Sequence, residues 1–265
     1  MNSAFIIGQY IPGESFIHRL DPRTKISLIF FFVIFVFFAN SVLSYALLTI
    51  FSFLVALSTK IKPSFIIKGL TPVWFLIIFT FTIHLIVTQE GEVLYRILGF
   101  PIYSGALIQG FSISLRFFLL ILFTSLLTLT TTPIEITDAI ESLLNPLKKI
   151  RLPVHELALM MSISLRFIPT LMQETDKISK AQASRGVDFR SGSLKSRVEA
   201  VIPLLVPLFI SAFKRAEELA MAMEARGYRG GEGRTKLREL KIRKLDYLAM
   251  ILFSLVIAGM FLLRK

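Results

Sequence analysis

The amino-acid sequence predicts an all-α polytopic membrane protein of about five transmembrane helices, with a cytoplasmic helical region inserted before the last span. Three observations predict it. Of 265 residues, 54% are hydrophobic and 25 are phenylalanine, which is more apolar than a soluble domain needs. Several long runs carry no charge, the pattern of helices that cross a bilayer. The net charge is +12, and residues 131–244 alone hold 20 Lys and Arg against 13 Asp and Glu. In a membrane protein such a local surplus marks cytoplasmic segments rather than a nucleic-acid surface.

Residues 1–25 are polar and turn-rich and read as a cytoplasmic N-terminal segment. They do not read as a cleaved leader: the basic residues begin only at His18-Arg19, and Phe37 stands two before Ala39 where a small residue is needed. Pro12-Gly13 marks a turn. Asp21-Pro22 predicts a helix start, because Asp caps free amides and Pro fits the first helical position. Arg23 and Lys25 mark the cytoplasmic edge. Residues 26–39 and 42–57 are two apolar runs separated by Asn40-Ser41, a tight helical hairpin. Each spans roughly 21–24 Å at 1.5 Å per residue, against a hydrocarbon core of roughly 30 Å. These helices therefore draw on flanking residues, or the bilayer thins around them.

Lys60, Lys62 and Lys68 place the next loop inside. Residues 70–88 form a third span, with Pro72 near its start and His84 toward its far end. An outer loop over 89–104 carries Glu90, Glu92 and Arg96 and a Gly-Phe-Pro turn. Residues 105–130 form a fourth span containing Arg116. After the cytoplasmic region, residues 245–263 form the fifth, leaving Arg264 and Lys265 outside. With the N-terminus inside, every internal loop satisfies the positive-inside bias. Residues 201–213 are uncharged, yet they number 13, contain Pro203 and Pro207, and are flanked by Lys195/Arg197 and Lys214/Arg215. They read as a proline-bent helix against the inner membrane face or another subunit, not as a crossing.

Within the cytoplasmic region one short message occurs twice. Ala183-Ser184-Arg185-Gly186 is followed 41 residues later by Glu224-Ala225-Arg226-Gly227. Before the first, Leu157, Met161, Leu165, Ile168, Met172, Thr175, Ile178 and Gln182 fall roughly on one helical face. Before the second, residues 215–225 are rich in strong helix formers. A lone Arg-Gly is ordinary helix-end chemistry: Gly takes the left-handed position after the helix, and a cation suits the negative end of the dipole. The duplication favours a sharper reading, in which two guanidinium groups are held out from helix tips toward carboxylates on another protein. Planar, always charged and able to form paired hydrogen bonds, arginine suits that task better than lysine.

Other chemistries find little support. There is no cysteine, hence no disulfide and no thiol catalysis. His155-Glu156 opens like a zinc-protease helix, but Leu159 stands where the second histidine must be. No Gly-x-x-x-x-Gly-Lys-Ser/Thr loop occurs, so the chain should not itself hydrolyse ATP. No aspartate pair is spaced to hold a diphosphate, and the intramembrane serines lack His/Asp partners. His84 and Arg116 are read as the ionisable residues within the spans, with no Asp or Glu among them, which counts against a proton-coupled carrier. His84 reads as a packing histidine. Arg116 is either a functional charge or one that snorkels or meets a helix carbonyl. Ser-Ile-Ser-Leu-Arg-Phe occurs at 112–117 and at 162–167, a repeat that common helix chemistry suffices to explain. The alternatives to a coupling role are a self-sufficient secondary carrier or channel with a regulatory cytoplasmic domain, and a lipid-modifying enzyme without a visible catalytic constellation.

The whole arrangement resembles the transmembrane T component of energy-coupling factor transporters, importers of the ATP-binding-cassette class. The motifs that carry the resemblance begin with Gly8-Gln9-Tyr10-Ile11-Pro12-Gly13 and His18-Arg19-Leu20-Asp21-Pro22-Arg23-Thr24-Lys25. They continue with Leu129-Thr130-Thr131-Thr132-Pro133, Pro146-Leu147 and Leu165-Arg166-Phe167-Ile168-Pro169-Thr170. The most specific is the run from Arg215 to Tyr228. In one departure, Ser184 stands where the family commonly has alanine; serine is nearly as small. The resemblance implies a non-catalytic subunit in a prokaryotic cell (inner) membrane, N-terminus cytoplasmic. Residues 1–25 would be its N-terminal segment, 26–130 its first four spans, 131–244 its coupling helices and 245–265 its last span. Two ATPase subunits would bind Ser184-Arg185-Gly186 and Ala225-Arg226-Gly227, each taking one arginine in a groove. A substrate-binding membrane S component would contact Met160, Met161, Leu204, Leu205, Leu208 and Phe209. No cofactor would be bound by this chain, ATP and Mg residing on the partners. ATPase closure would tip the S component and release a vitamin or other micronutrient inside.

Overall fold

A computed structural model describes residues 10–97, 100–187, 194–230 and 239–264. Gly8, Gln9 and Lys265 lie outside the described residues. The chain divides into two compact units, residues 1–139 with 239–265, and residues 140–238.

The first unit contains α1 (Pro22–Val36), α2 (Val42–Ser58), α3 (Pro63–Val87), a hairpin of β1 (Val93–Ile97) and β2 (Phe100–Tyr103), α4 (Ser104–Thr130), the start of α5 (Pro133–Leu144), and α8 (Lys244–Leu262). Local chemistry sets the first boundary: Asp21 Oδ1 accepts from the Arg23 amide at 2.9 Å, and Pro22 occupies the first helical position. Thr132 and Glu135 form a reciprocal cap at the start of α5, where each side chain accepts from the other residue's amide. Helix α3 begins at Pro63, so Lys68 lies inside a helix rather than in the expected loop. Its segments Pro63–Thr71 and Val73–Val87 bend by 58°, about a proline that has no amide for the ladder. The outer loop closes as an antiparallel hairpin, Val93 opposite Tyr103 and Ile97 opposite Phe100. Backbone bonds from Ser104 to Glu92 and from Gly105 to Glu90 tie its base.

The core of this unit gathers Phe32 and Val36 of α1, Tyr45 and Leu48 of α2, Leu119 and Phe123 of α4, and Phe253, Ile257 and Met260 of α8. Phe32 and Phe123 stack with ring centroids 3.9 Å apart. Between apolar helices in lipid, packing and interhelical hydrogen bonds replace the water-driven term; Ser44 Oγ donates to Met260 O at 3.2 Å in that role. Where α3 meets α4, Gly110 lets the backbones approach, since a Cβ there would press on Phe81 and His84 at 3.2–3.3 Å. His84 packs at this contact, with Nδ1 3.3 Å from Thr88 Oγ1. Arg116 is paired: Nη2 donates to Tyr45 Oη at 2.7 Å and its guanidinium lies 5.1 Å above the Phe37 ring.

At one end of this unit, segments distant in sequence are pinned by charge. Lys25, 5% exposed, donates from Nζ to Thr130 O at 2.9 Å and to Thr131 Oγ1 at 3.2 Å. Asp246, fully buried, accepts from the amides of Asp21 and Arg243, both at 2.7 Å. Ile11 N–H donates to Leu129 O at 2.9 Å. The sequence reading of carboxylate-free spans is thereby corrected: Asp246 sits in the first turn of the last one, tolerated because two backbone donors satisfy it.

Among the described residues, α4, α6 (Val154–Ser184) and α8 are long and apolar enough to cross a membrane, and the bent α3 pair would make a fourth. The 17-residue α2 is apolar but short, and α1 has only 15 residues. Helix α6, expected beneath the bilayer, meets that criterion by length and composition.

The second unit holds the remainder of α5, a 3-10 turn over Asn145–Ile150, α6 and α7 (Leu194–Ala225). His155, at the start of α6, has Nδ1 3.1 Å from Glu141 Oε1. Helix α7 continues through Pro203 and Pro207. The pair runs antiparallel. Gln182 Nε2 donates to Pro203 O at 3.4 Å, Ser211 Oγ to Glu174 Oε1 at 2.6 Å, and Arg215 Nη2 lies 2.8 Å from Glu174 Oε2.

Candidate partner-docking site

Both arginine-glycine sites end their helices in the same way. After α6, Gly186 takes φ +89°, its amide donates to Ala183 O at 3.0 Å, and the Val187 amide reaches back to Gln182 O at 3.1 Å. After α7, Gly227 takes φ +74°, its amide donates to Glu224 O at 2.8 Å, and Tyr228 reaches Met223 O at 3.0 Å. This bond pattern is a Schellman motif in both cases, with the arginine at the C-cap and the glycine in the left-handed position after it. The glycines thus do what helix-end chemistry asks of them. The arginines do something the motif does not require: Arg185 and Arg226 are both exposed, as are Ser184, Gly186, Ala225 and Gly227. Nothing lies within 4 Å of where a Cβ would sit on Gly186 or Gly227.

The antiparallel pairing decides where the two tips go. Gln182, just before the first tip, meets Pro203 near the beginning of α7. Arg226, at the second, shares a cleft with Leu159, Ile163 and Arg166 near the beginning of α6. The two sites therefore stand at opposite ends of the helix pair, separated by roughly 40 Å at 1.5 Å per residue. Sequence spacing alone left that separation open.

The apolar residues named for a membrane partner are distributed along the same pair. Met160 (55% exposed) and Met161 lie on the half of α6 that faces the end of α7; Leu205 and Phe209 (62% exposed) lie on the first half of α7, with Leu204 and Leu208 half-buried beside them. The two groups are not brought into one patch. On α6, the stripe through Leu157, Met161 and Ile168 is exposed, while Thr175, Ile178 and Gln182 are half-buried where α7 packs. Sequence reasoning passed over Arg229, which joins Arg166 and Arg226 at the cleft. It also passed over the Lys25–Asp246 network; a charge at the first turn of an apolar helix was the available signal.

Comparison with known proteins agrees with this architecture. A family model described as CbiQ, cobalt transport protein, matches residues 13–237. The energy-coupling factor transporter transmembrane protein EcfT of Bacillus subtilis (strain 168) is 61% identical over 264 residues, covering 100% of both chains. That of Exiguobacterium sibiricum is 57% identical over 236 residues, 89% of this chain and 90% of the relative, and that of Listeria innocua serovar 6a is 51% identical over 265 residues, 100% of both. A multi-pass helical chain matched from end to end by such relatives is a transporter component, and it belongs to the CbiQ family as a homologue of the EcfT transmembrane proteins of energy-coupling factor transporters.

Proposed function

We propose that this chain transmits ATP-driven motion from two partner ATPase subunits to a substrate-binding membrane partner, with Arg185 and Arg226 as the two points of engagement. The observation that carries the reading is the duplication of geometry: two exposed arginines at the C-caps of matching Schellman ends, at opposite ends of one antiparallel helix pair. A rigid element with one cation at each end suits two copies of an acidic groove. ATP and Mg belong to those partners; this chain holds no cofactor. The exposed apolar surfaces around Met160, Met161, Leu205 and Phe209, backed by Leu204 and Leu208, receive the substrate-binding partner. In this arrangement residues 1–25 and 131–244 face the cytoplasm of a prokaryotic cell and the cargo is a vitamin or another micronutrient.

The test is co-purification and transport by R185A, R226A and the double variant. If each arginine makes a desolvated charge pair, each truncation weakens ATPase docking by ~2–5 kcal/mol. Normal assembly and transport by the double variant would overturn the proposal. Uptake by the purified chain alone in liposomes would replace it with a self-sufficient carrier.

A further inference from the structure

Next to the second arginine, α6 and the end of α7 line a cleft of about 650 Å³. Its floor is apolar, made by Leu159, Ile163, Phe167, Leu219 and Met223. Its rim is basic: Arg166, Arg226 and Arg229 border it, and among the described residues no acidic residue does. All three arginines are exposed, and among the described residues none has a carboxylate within salt-bridge distance. Among the described residues, this like-charged rim around an apolar floor has no acidic partner.

The chemistry of the lining narrows the occupant. An inorganic anion would satisfy the rim and leave five apolar side chains unfilled. An Asp or Glu side chain from a partner has one or two methylenes, too few to fill the floor. A molecule with an anionic head and a hydrocarbon tail satisfies both. Such molecules are close at hand, because α6 is long and apolar enough to cross a membrane. Basic pockets on helices next to a bilayer bind anionic headgroups in this way.

We infer that this cleft is a binding site for an anionic phospholipid, whose headgroup is held by Arg166 and Arg229 and whose acyl chain lies on Ile163, Phe167 and Met223. Arg166 gains a role here that its place in the repeated Ser-Ile-Ser-Leu-Arg-Phe did not reveal: the first copy's Arg116 is held by the Tyr45 hydroxyl and the Phe37 ring, whereas the second faces a cleft. The inference stands whether or not Arg226 engages an ATPase.

The experiment is native mass spectrometry of the delipidated full-length chain in detergent, titrated separately with dioleoyl phosphatidylglycerol and dioleoyl phosphatidylcholine. One phosphatidylglycerol should be retained per chain with at least a tenfold preference. R166Q/R229Q should lower that affinity at least tenfold and leave phosphatidylcholine unchanged. Equal retention of the two lipids, or wild-type phosphatidylglycerol affinity in the double variant, overturns the site. Displacement of the lipid by millimolar inorganic phosphate, or by a glutamate-rich peptide, overturns the lipid assignment in favour of a bare anion or an acidic segment. Should R166Q/R229Q fail to fold, S162W, which fills the cleft without removing charge, is read in the same titration. A tenfold loss supports the site and unchanged retention overturns it.

Discussion

Replacing Gly186 and Gly227 by Ala and by Asn separates what the helix end needs from what a docked partner needs. At φ +89° and +74°, a Cβ costs roughly 1–2 kcal/mol in the left-handed region, a five- to thirtyfold loss of the hooked conformation. Nothing in the chain lies within 4 Å of that Cβ, so no clash adds to it. Asn tolerates the left-handed region better than Ala. Stability of the hook must therefore rank Gly, then Asn, then Ala. It is read by hydrogen exchange at the Val187 and Tyr228 amides, which close the two motifs. If ATPases approach closely at these tips, the larger Asn side chain is the worse fit, and docking ranks Gly, then Ala, then Asn. Docking is measured by surface binding of purified ATPases to the full-length chain in nanodiscs. A docking order that follows the exchange order, with losses no greater than roughly thirtyfold, would refute close engagement and leave the glycines as helix ends alone.

Three further outcomes follow from buried and paired groups. D246A leaves the Asp21 and Arg243 amides without their acceptor and should cost ~3–5 kcal/mol, seen as a fall in thermal midpoint in detergent and faster exchange at both amides. In the second unit, E174A removes the acceptor shared by Ser211 and Arg215. Because the ion pair is partly exposed, the expected loss is about 1–2 kcal/mol, with exchange rising over 203–215 and no rise in an S211A background beyond that of E174A alone. Burial holds His18 below its ordinary value of 6.5, against the opposing pull of the Ile11 carbonyl. Its Nε2–H donates to Ile11 O at 3.0 Å and Nδ1 accepts from Ser15 at 2.6 Å, so the neutral ring is the one that fits. The folded state then resists a proton that the unfolded chain takes up. Stability of the N-terminal segment is full above about pH 6.5 and falls on acidification, as the Ile11 amide would report; H18Q should flatten that response.

By itself the sequence determined whatever depends on neighbours a few residues apart. The cap of Asp21 on Arg23, the glycines closing α6 and α7, and the apolar length of α4 and α8 all follow from side chains within one or two turns of where they act. Family membership was legible for the same reason, since its motifs are short and local. Only the tertiary structure could decide which of these motifs meet. The segments around Asp21, Thr130 and Asp246 share one buried network because four helices pack, and hydrogen bonds over separations of 105 and 225 residues leave no local trace. The opposite placement of Arg185 and Arg226 follows from α6 and α7 being antiparallel, a relation set by Glu174 with Ser211 and Arg215 rather than by either hook. The cleft beside Arg166 is lined by the first half of α6 and the end of α7 together, and a surface shared by two helices is one that no single helical stretch encodes.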